Sequence, residues 1–428
     1  MLKILSLLKN KVVKNASWII GGRIVHMLCA FVVSLLTARY LGPGNYGLIN
    51  YATAYTTFFY SICTLGINSI LVKAIIDEPE HEGETLGTSI VLQGIASLLS
   101  SLMIIGIVRL IDGKEELTVI VTALCTIGLL FRIIEVLRYW FQAHLRSKYT
   151  VITTTVAYLL TSVYRIILLI QSADVKWFAL ATSIDYLAEA AFLYIFYKSN
   201  NGPKLHFTKE RVVKLLKMGT PFILAGLMVS IYGNTDKLML KQMLNEEAVG
   251  YYSTATSLCN VWVFLLSAII DSMYPVIMEA RKTSIQKYEK QNKLLYAIVF
   301  YISVFVSLMF VVFAKPAISL LYGEVYLPTV EPLRISTWYV AFSYLGVARN
   351  AWIVSENQQK YIAPIYVCAA ITNVILNYAF IPIWGASGAA VASLLTQITT
   401  IFIWPLLIKT MRPNAKLMLD AILLRGIK

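Results

Sequence analysis

Long apolar runs separated by short polar ones organise this chain. A first series lies at 16–38, 47–71, 86–110, 117–137, 150–171 and 176–197; a basic stretch, 198–217, follows. A second series runs 218–240, 248–275, 293–314, 334–354, 361–383 and 387–408. Each run is near the roughly 20 apolar residues that cross a bilayer as a helix. Helices satisfy their backbone groups internally, which hydrocarbon demands. The pattern predicts an all-α integral membrane protein of about twelve transmembrane helices, with a six-helix lobe over 1–197, a cytoplasmic linker over 198–217, and a second lobe with a cytoplasmic tail over 218–428. The opening MLKILSLLKNKVVKN mixes lysines with leucine and valine and reads as an amphipathic helix on the membrane face.

Composition narrows the class. Hydrophobic residues make up 58% of the 428 and charged residues only 14%, against about 25% charged in soluble domains. That balance excludes a water-soluble globule and a disordered chain alike. The net charge of +14 is explained by topology. With the N-terminus cytoplasmic, 25 of the 37 Lys and Arg fall on inside segments and 6 on outside loops. The remaining 6 lie within or at the edge of helices, so the bias predicts an N-in/C-in arrangement. No basic domain stands apart from the apolar runs, so nucleic acid is not an expected partner. The five cysteines sit inside apolar runs without CxxC or Cys/His metal spacing, and no phosphate-binding loop motif is present. No metal, cofactor or catalytic domain is expected, and the chain does not read as an enzyme.

The halves repeat weakly. LLTARYLGPGNYGLINYATA (35–54) is similar to KLMLKQMLNEEAVGYYSTAT (237–256), and a one-residue shift between the two places Gly47 on Gly250 and Ala52 on Ala255. The offset, 250 − 47 = 203 residues, spans six helices, so the copies share one orientation. Parallel repeats of this kind build secondary transporters whose substrate path runs between pseudo-symmetric halves.

These residues also resemble a family. NASWIIGG, LLTARYLGPGNYGLINYA and LGI (65–67) are similar to the N-terminal signature of Wzx-type O-antigen and capsular polysaccharide repeat-unit flippases. These form the polysaccharide-transporter branch of the multidrug/oligosaccharidyl-lipid/polysaccharide (MOP) exporter superfamily. GTPFILAGLMVSIYGNTDKLML, AVGYYSTA, LLYGEVYLPT and NVILNYAFIPIWGASGAAVAS follow in matching order. The resemblance implies two six-helix lobes around a central cavity in the bacterial inner membrane. It implies a substrate, an undecaprenyl-pyrophosphate-linked oligosaccharide, carried from the inner to the outer leaflet by alternating access. It also implies partners, the assembly enzymes and polymerase of a lipopolysaccharide or capsule pathway. A drug/cation antiporter of the same superfamily is the alternative, and a membrane-bound polymerase or glycosyltransferase is a more distant one.

Ionisable residues inside a membrane need a reason. Arg23, His26, Arg132, Arg165 and Arg349 are the candidate substrate contacts, forming a cationic cavity wall that matches pyrophosphate oxygens. Local alternatives exist: Arg132 with Glu135 three residues on, Arg165 with Asp185 or Glu189, and Arg349 reaching the interface. Asp185, Glu189 and Asp236 are candidates for coupling transport to H⁺ or Na⁺; Asp236 pairing locally with Lys237 or Lys241 is the plainer reading. Asn373 and Asn377, one turn apart, are expected to hydrogen-bond to neighbouring helices.

Overall fold

The computed structural model describes residues 11–426. The first ten residues, where most of the expected amphipathic helix falls, lie outside the described part, as does the side chain of Arg23. Every regular element among the described residues is helical.

Helix Lys11–Cys63 is broken at Gly42, giving α1 (11–41) and α2 (43–63). Gly42 takes φ 70° and ψ 171°, which only glycine adopts freely, and Pro43 opens the next helix, where its missing N–H costs nothing. Short helix Leu71–Asp77 precedes α3 (Glu82–Ile111), and α4 (Glu116–Ala143) follows. Then come α5 (Lys148–Ile170), α6 (Val175–Ser199) and α7 (Lys209–Met243). The second half holds α8 (Glu246–Asn260), α9 (Val263–Thr283), α10 (Ile285–Tyr322) and α11 (Val330–Ser355). It ends with α12 (Ile362–Trp384), α13 (Ala386–Leu407) and the terminal α14 (Arg412–Ile422). Among the described residues, ten segments are long and apolar enough to span a membrane. Splitting the first at Gly42 and adding α11, which carries Glu331, Arg334 and Arg349, gives the expected twelve.

Two expected continuous helices are interrupted. The run 117–137 becomes an α4 that tightens to a 3₁₀ turn over Arg132–Glu135, and 248–275 becomes α8 and α9 separated at Val261 and Trp262. Apolar periodicity is blind to such breaks because each flanking piece keeps its own apolar character. Caps set the turns. Asn245 accepts from the Ala248 N–H at 2.9 Å and Glu246 and Glu247 fill the first turn of α8.

The chain packs as two compact units. The first comprises residues up to Leu41 and Leu48–Ser230; the second, Gly42–Gly47 and Ile231 onward. The boundary thus falls inside α7, beyond the expected linker. In the first unit Leu71, Ile75, Leu86, Trp140, Phe141 and Tyr197 form a core, and Trp140 Nε1 donates to Glu82 at 2.8 Å. The linker lies along the start of α3 within this unit. His206 N donates to the Gly83 carbonyl at 3.1 Å, and a Cβ at Gly87 would meet His206 O at 2.4 Å. Arg211 and Lys214 both ion-pair with Glu78, holding its carboxyl down at about 2, with Lys214 the larger influence.

The second unit has its own core, including Ile277, Leu295, Tyr296, Leu345, Trp352 and Met418. Close α12–α13 packing uses small residues: a Cβ at Gly388 would stand 2.2 Å from Phe380 O. The Gly42–Gly47 turn is seated in this unit too. A Cβ at Gly47 would lie 1.8 Å from Glu246 O, and one at Gly250 would lie 2.1 Å from Pro43 O. The two glycines matched by the internal repeat are therefore the two that let these backbones cross.

Candidate functional site

In the first unit, α1, α4, α5 and α6 enclose a cavity of about 700 Å³. His26, Arg132, Asp185 and Glu189, four of the residues singled out from sequence, line it together with Glu135, Arg138 and Tyr186. The three-residue spacing of Arg132, Glu135 and Arg138 puts them on one side of α4. Arg132 Nε donates to Glu135 Oε1 at 2.9 Å, and its guanidinium lies 3.3 Å from the Tyr60 ring centroid and 4.8 Å from that of Tyr186. The Tyr60 hydroxyl donates to Glu135 Oε2 at 2.7 Å, and Asn68 and Gln93 extend the chain of bonds to α3. The local pairing of Arg132 with Glu135 is therefore the geometry found.

Glu189 pairs with Arg138 rather than with Arg165. Asp185 accepts from Thr161 Oγ1 at 3.2 Å. Among the described residues no carboxylate lies within 4.0 Å of Arg165. Its guanidinium is 5.9 Å from the Tyr158 ring, whose other neighbour is His26 at 4.5 Å between centroids. The reading of Asp185 and Glu189 as the ion-pair partners of Arg165 is thus corrected: α6 turns Glu189 toward α4. Arg132 and Arg138 face three carboxylates, so this wall is not the purely cationic one expected from the arginines alone.

A second site lies in the other unit. Asp236, 4% exposed, accepts at Oδ1 from Asn373 (3.1 Å) and Asn377 (2.6 Å), and at Oδ2 from Ser393 (2.5 Å) and Tyr252. Four helices (α7, α8, α12 and α13) supply these groups. No basic side chain lies within 4.0 Å of Asp236 among the described residues. Pairing with Lys237 or Lys241 is not found; Lys241 bonds Glu246 at 2.7 Å. A cavity of about 180 Å³, lined also by Lys237, Tyr232 and Tyr339, adjoins the carboxylate. Asn377 donates to Asn373 and Asp236, yet its buried Oδ1 has no partner among the described residues. The sequence offered Asn373 and Asn377 as helix-packing groups and Asp236 as an ion candidate; nothing local linked them, since they lie 137 and 141 residues apart.

Arg349, 3% exposed, is in the core of the second unit and lines neither cavity. It donates to the Thr400 carbonyl at 3.2 Å, within a π-helical stretch of α13, Thr399–Ile403. A π turn leaves carbonyls imperfectly bonded, and the guanidinium meets one of them.

Comparisons with known proteins agree with this architecture. A family model described as "Polysaccharide biosynthesis protein" matches residues 12–281. The protein named "Putative O-antigen transporter" from Shigella dysenteriae is 23% identical over 262 residues, 60% of this chain and 65% of that one. The chain thus matches just under two thirds of that relative's length. The lipid II flippase MurJ in an inward closed conformation superposes with a TM-score of 0.75 at 14% identity, over 96% of this chain and 90% of that one. An inward-facing multidrug resistance MATE transporter of the MOP superfamily gives 0.68 at 16% identity, over 92% and 96%. With the fold of these transporters and a family match across more than half its length, this chain belongs to the polysaccharide biosynthesis protein family.

Proposed function

We propose that this protein is a flippase, not an enzyme, which moves undecaprenyl-pyrophosphate-linked oligosaccharide repeat units from the inner to the outer leaflet of a bacterial cytoplasmic membrane by alternating access. The observation that carries this reading is a large polar cavity inside a unit whose outward residues, such as Leu98, Leu102 and Ile166, are apolar. The barrier to flipping is the unhydrated passage of the head through hydrocarbon. A sheltered polar surface lowers it, and the polyprenyl tail can remain in lipid. Arg23, three residues before His26 on α1, and Arg165 are the arginines assigned to the pyrophosphate; Arg349 serves the second unit's core instead. In the N-in/C-in arrangement favoured by the Lys/Arg count, the cavity reaches the α4–α5 turn on the cytoplasmic, loading side. The assembly enzymes and polymerase of the same polysaccharide pathway would be its partners.

Coupling to H⁺ or Na⁺ is assigned to Asp236. A buried carboxylate bonded, among the described residues, only by neutral groups, with Asn377 Oδ1 unsatisfied by any of them, is supported better with a cation present than without one. In the first unit Asp185 is the stronger coupling candidate, since Glu189 is already paired with Arg138.

One observation favours the antiporter alternative: three carboxylates and tyrosines line the first cavity. Proteoliposomes decide between them. Labelled polyprenyl-pyrophosphoryl oligosaccharide and a lipophilic cation are offered separately, with and without a proton or sodium gradient. Movement of the lipid-linked sugar alone is expected. Movement of the cation alone would replace the flippase reading with an exporter of cations.

A further inference from the structure

We infer that the first-unit cavity receives the saccharide of the substrate and leaves the pyrophosphate outside it; this rests on the flippase reading. Charge excludes the obvious anion. Arg132 and Arg138 are each bonded to a carboxylate, and Asp185 adds a third acid, so the acidic side chains lining the cavity outnumber its guanidinium groups. A pyrophosphate entering here would break two ion pairs and face the carboxylates left behind. A simple cation fares little better beside two guanidinium groups.

A neutral polyol fits both signs. Each sugar hydroxyl donates one hydrogen bond and accepts others, so it needs donors and acceptors side by side, and charged partners make the stronger bonds. The wall offers that mixture. Among the described residues, Thr150 Oγ1 and Arg138 Nε are buried without a hydrogen-bond partner, although both residues line the cavity. Asp185 accepts, among the described residues, at Oδ1 from Thr161. The Gln142 amide stands at the exposed rim, and Tyr139 presents an aromatic surface suited to the C–H face of a pyranose. The volume, about 700 Å³, lies within the range of about 300–1,000 Å³ of small-ligand sites, enough for a short oligosaccharide.

The test uses full-length protein in detergent carrying Gln142→Cys at the exposed rim, with the rate of maleimide labelling at that position as readout. Three probes are added separately: inorganic pyrophosphate, tetraphenylphosphonium, and the oligosaccharide freed by mild acid from the polyprenyl-linked material of the source cells. The oligosaccharide alone is expected to slow labelling at least fivefold. Slowing by pyrophosphate or by the cation instead, or by none of the three, overturns the assignment. Thr150→Val gives an independent readout: flux of the lipid-linked oligosaccharide in proteoliposomes should fall about three- to tenfold, the effect of one lost hydrogen bond. Unchanged flux also counts against it. The two readings fail separately. Wild-type transport without oligosaccharide protection removes the cavity assignment alone, whereas protection without transport removes the flippase reading and leaves the saccharide site.

Discussion

At Asp236 a carboxylate that hydrocarbon would reject is held by Tyr252, Ser393, Asn373 and Asn377, all neutral. A hydrogen bond to a buried charged group contributes about 1.5–3 kcal/mol, so Asn377→Leu should destabilise by about that amount, read as a fall in the thermal midpoint of the purified protein. Asp236→Asn should instead keep the fold and abolish any stimulation of transport by an imposed ion gradient. A variant whose gradient response survives removes Asp236 from the coupling role. At Arg132 and Glu135 the prediction concerns a pair. Glu135→Ala strands a mostly buried guanidinium and should cost about 3 kcal/mol, and replacing both with apolar residues of similar size should recover most of it. Measured unfolding midpoints of the single and double variants decide whether the pair is held by mutual neutralisation. Some of this was readable beforehand: a three-residue spacing announces the Arg132–Glu135 pair. The Asp236 partners were not, because no local pattern tells an asparagine which distant helix it will face.

Elements depend here on breaks and close approaches. Gly47 and Gly250 let the Gly42–Gly47 turn and the start of α8 cross with carbonyl oxygens about where a Cβ would sit. Gly250→Val should therefore unseat the turn, lowering the thermal midpoint and transport together, whereas substitution at Gly106, with no atom within 4 Å, should do neither. The repeat in the sequence pointed to these positions, but only the packing explains them. The linker makes the opposite point. A basic stretch of the kind at 198–217 reads as a tether between lobes, yet it is strapped to the start of α3 through Gly83, Gly87 and Glu78. Glu78 has its folded pKa depressed from 4.5 to about 2. Its contribution to docking is thus complete above about pH 4.5 and is lost as the pH falls toward 2. Pepsin cleavage within 200–208 should rise across that window, and equal cleavage at both ends of it would show that Glu78 does not hold the linker.

For the whole molecule, the compact units divide at Ser230/Ile231, inside α7. A chain cut at 200–201 should consequently reassemble, since residues 202–230 pack within the first unit; co-purification of the two coexpressed fragments checks this. By itself the sequence determined the class, the number of crossings and the family. Hydrophobic run length answers to the bilayer thickness, and the repeat and its glycines survive in linear order. Tertiary structure alone decided which charges share a space: Glu189 with Arg138, Asp236 with two asparagines, Arg349 with a carbonyl of a π turn. A helix face is fixed by spacing along one segment. The partner of that face is fixed by packing between segments, where a rotation of one residue exchanges lipid, cavity and core.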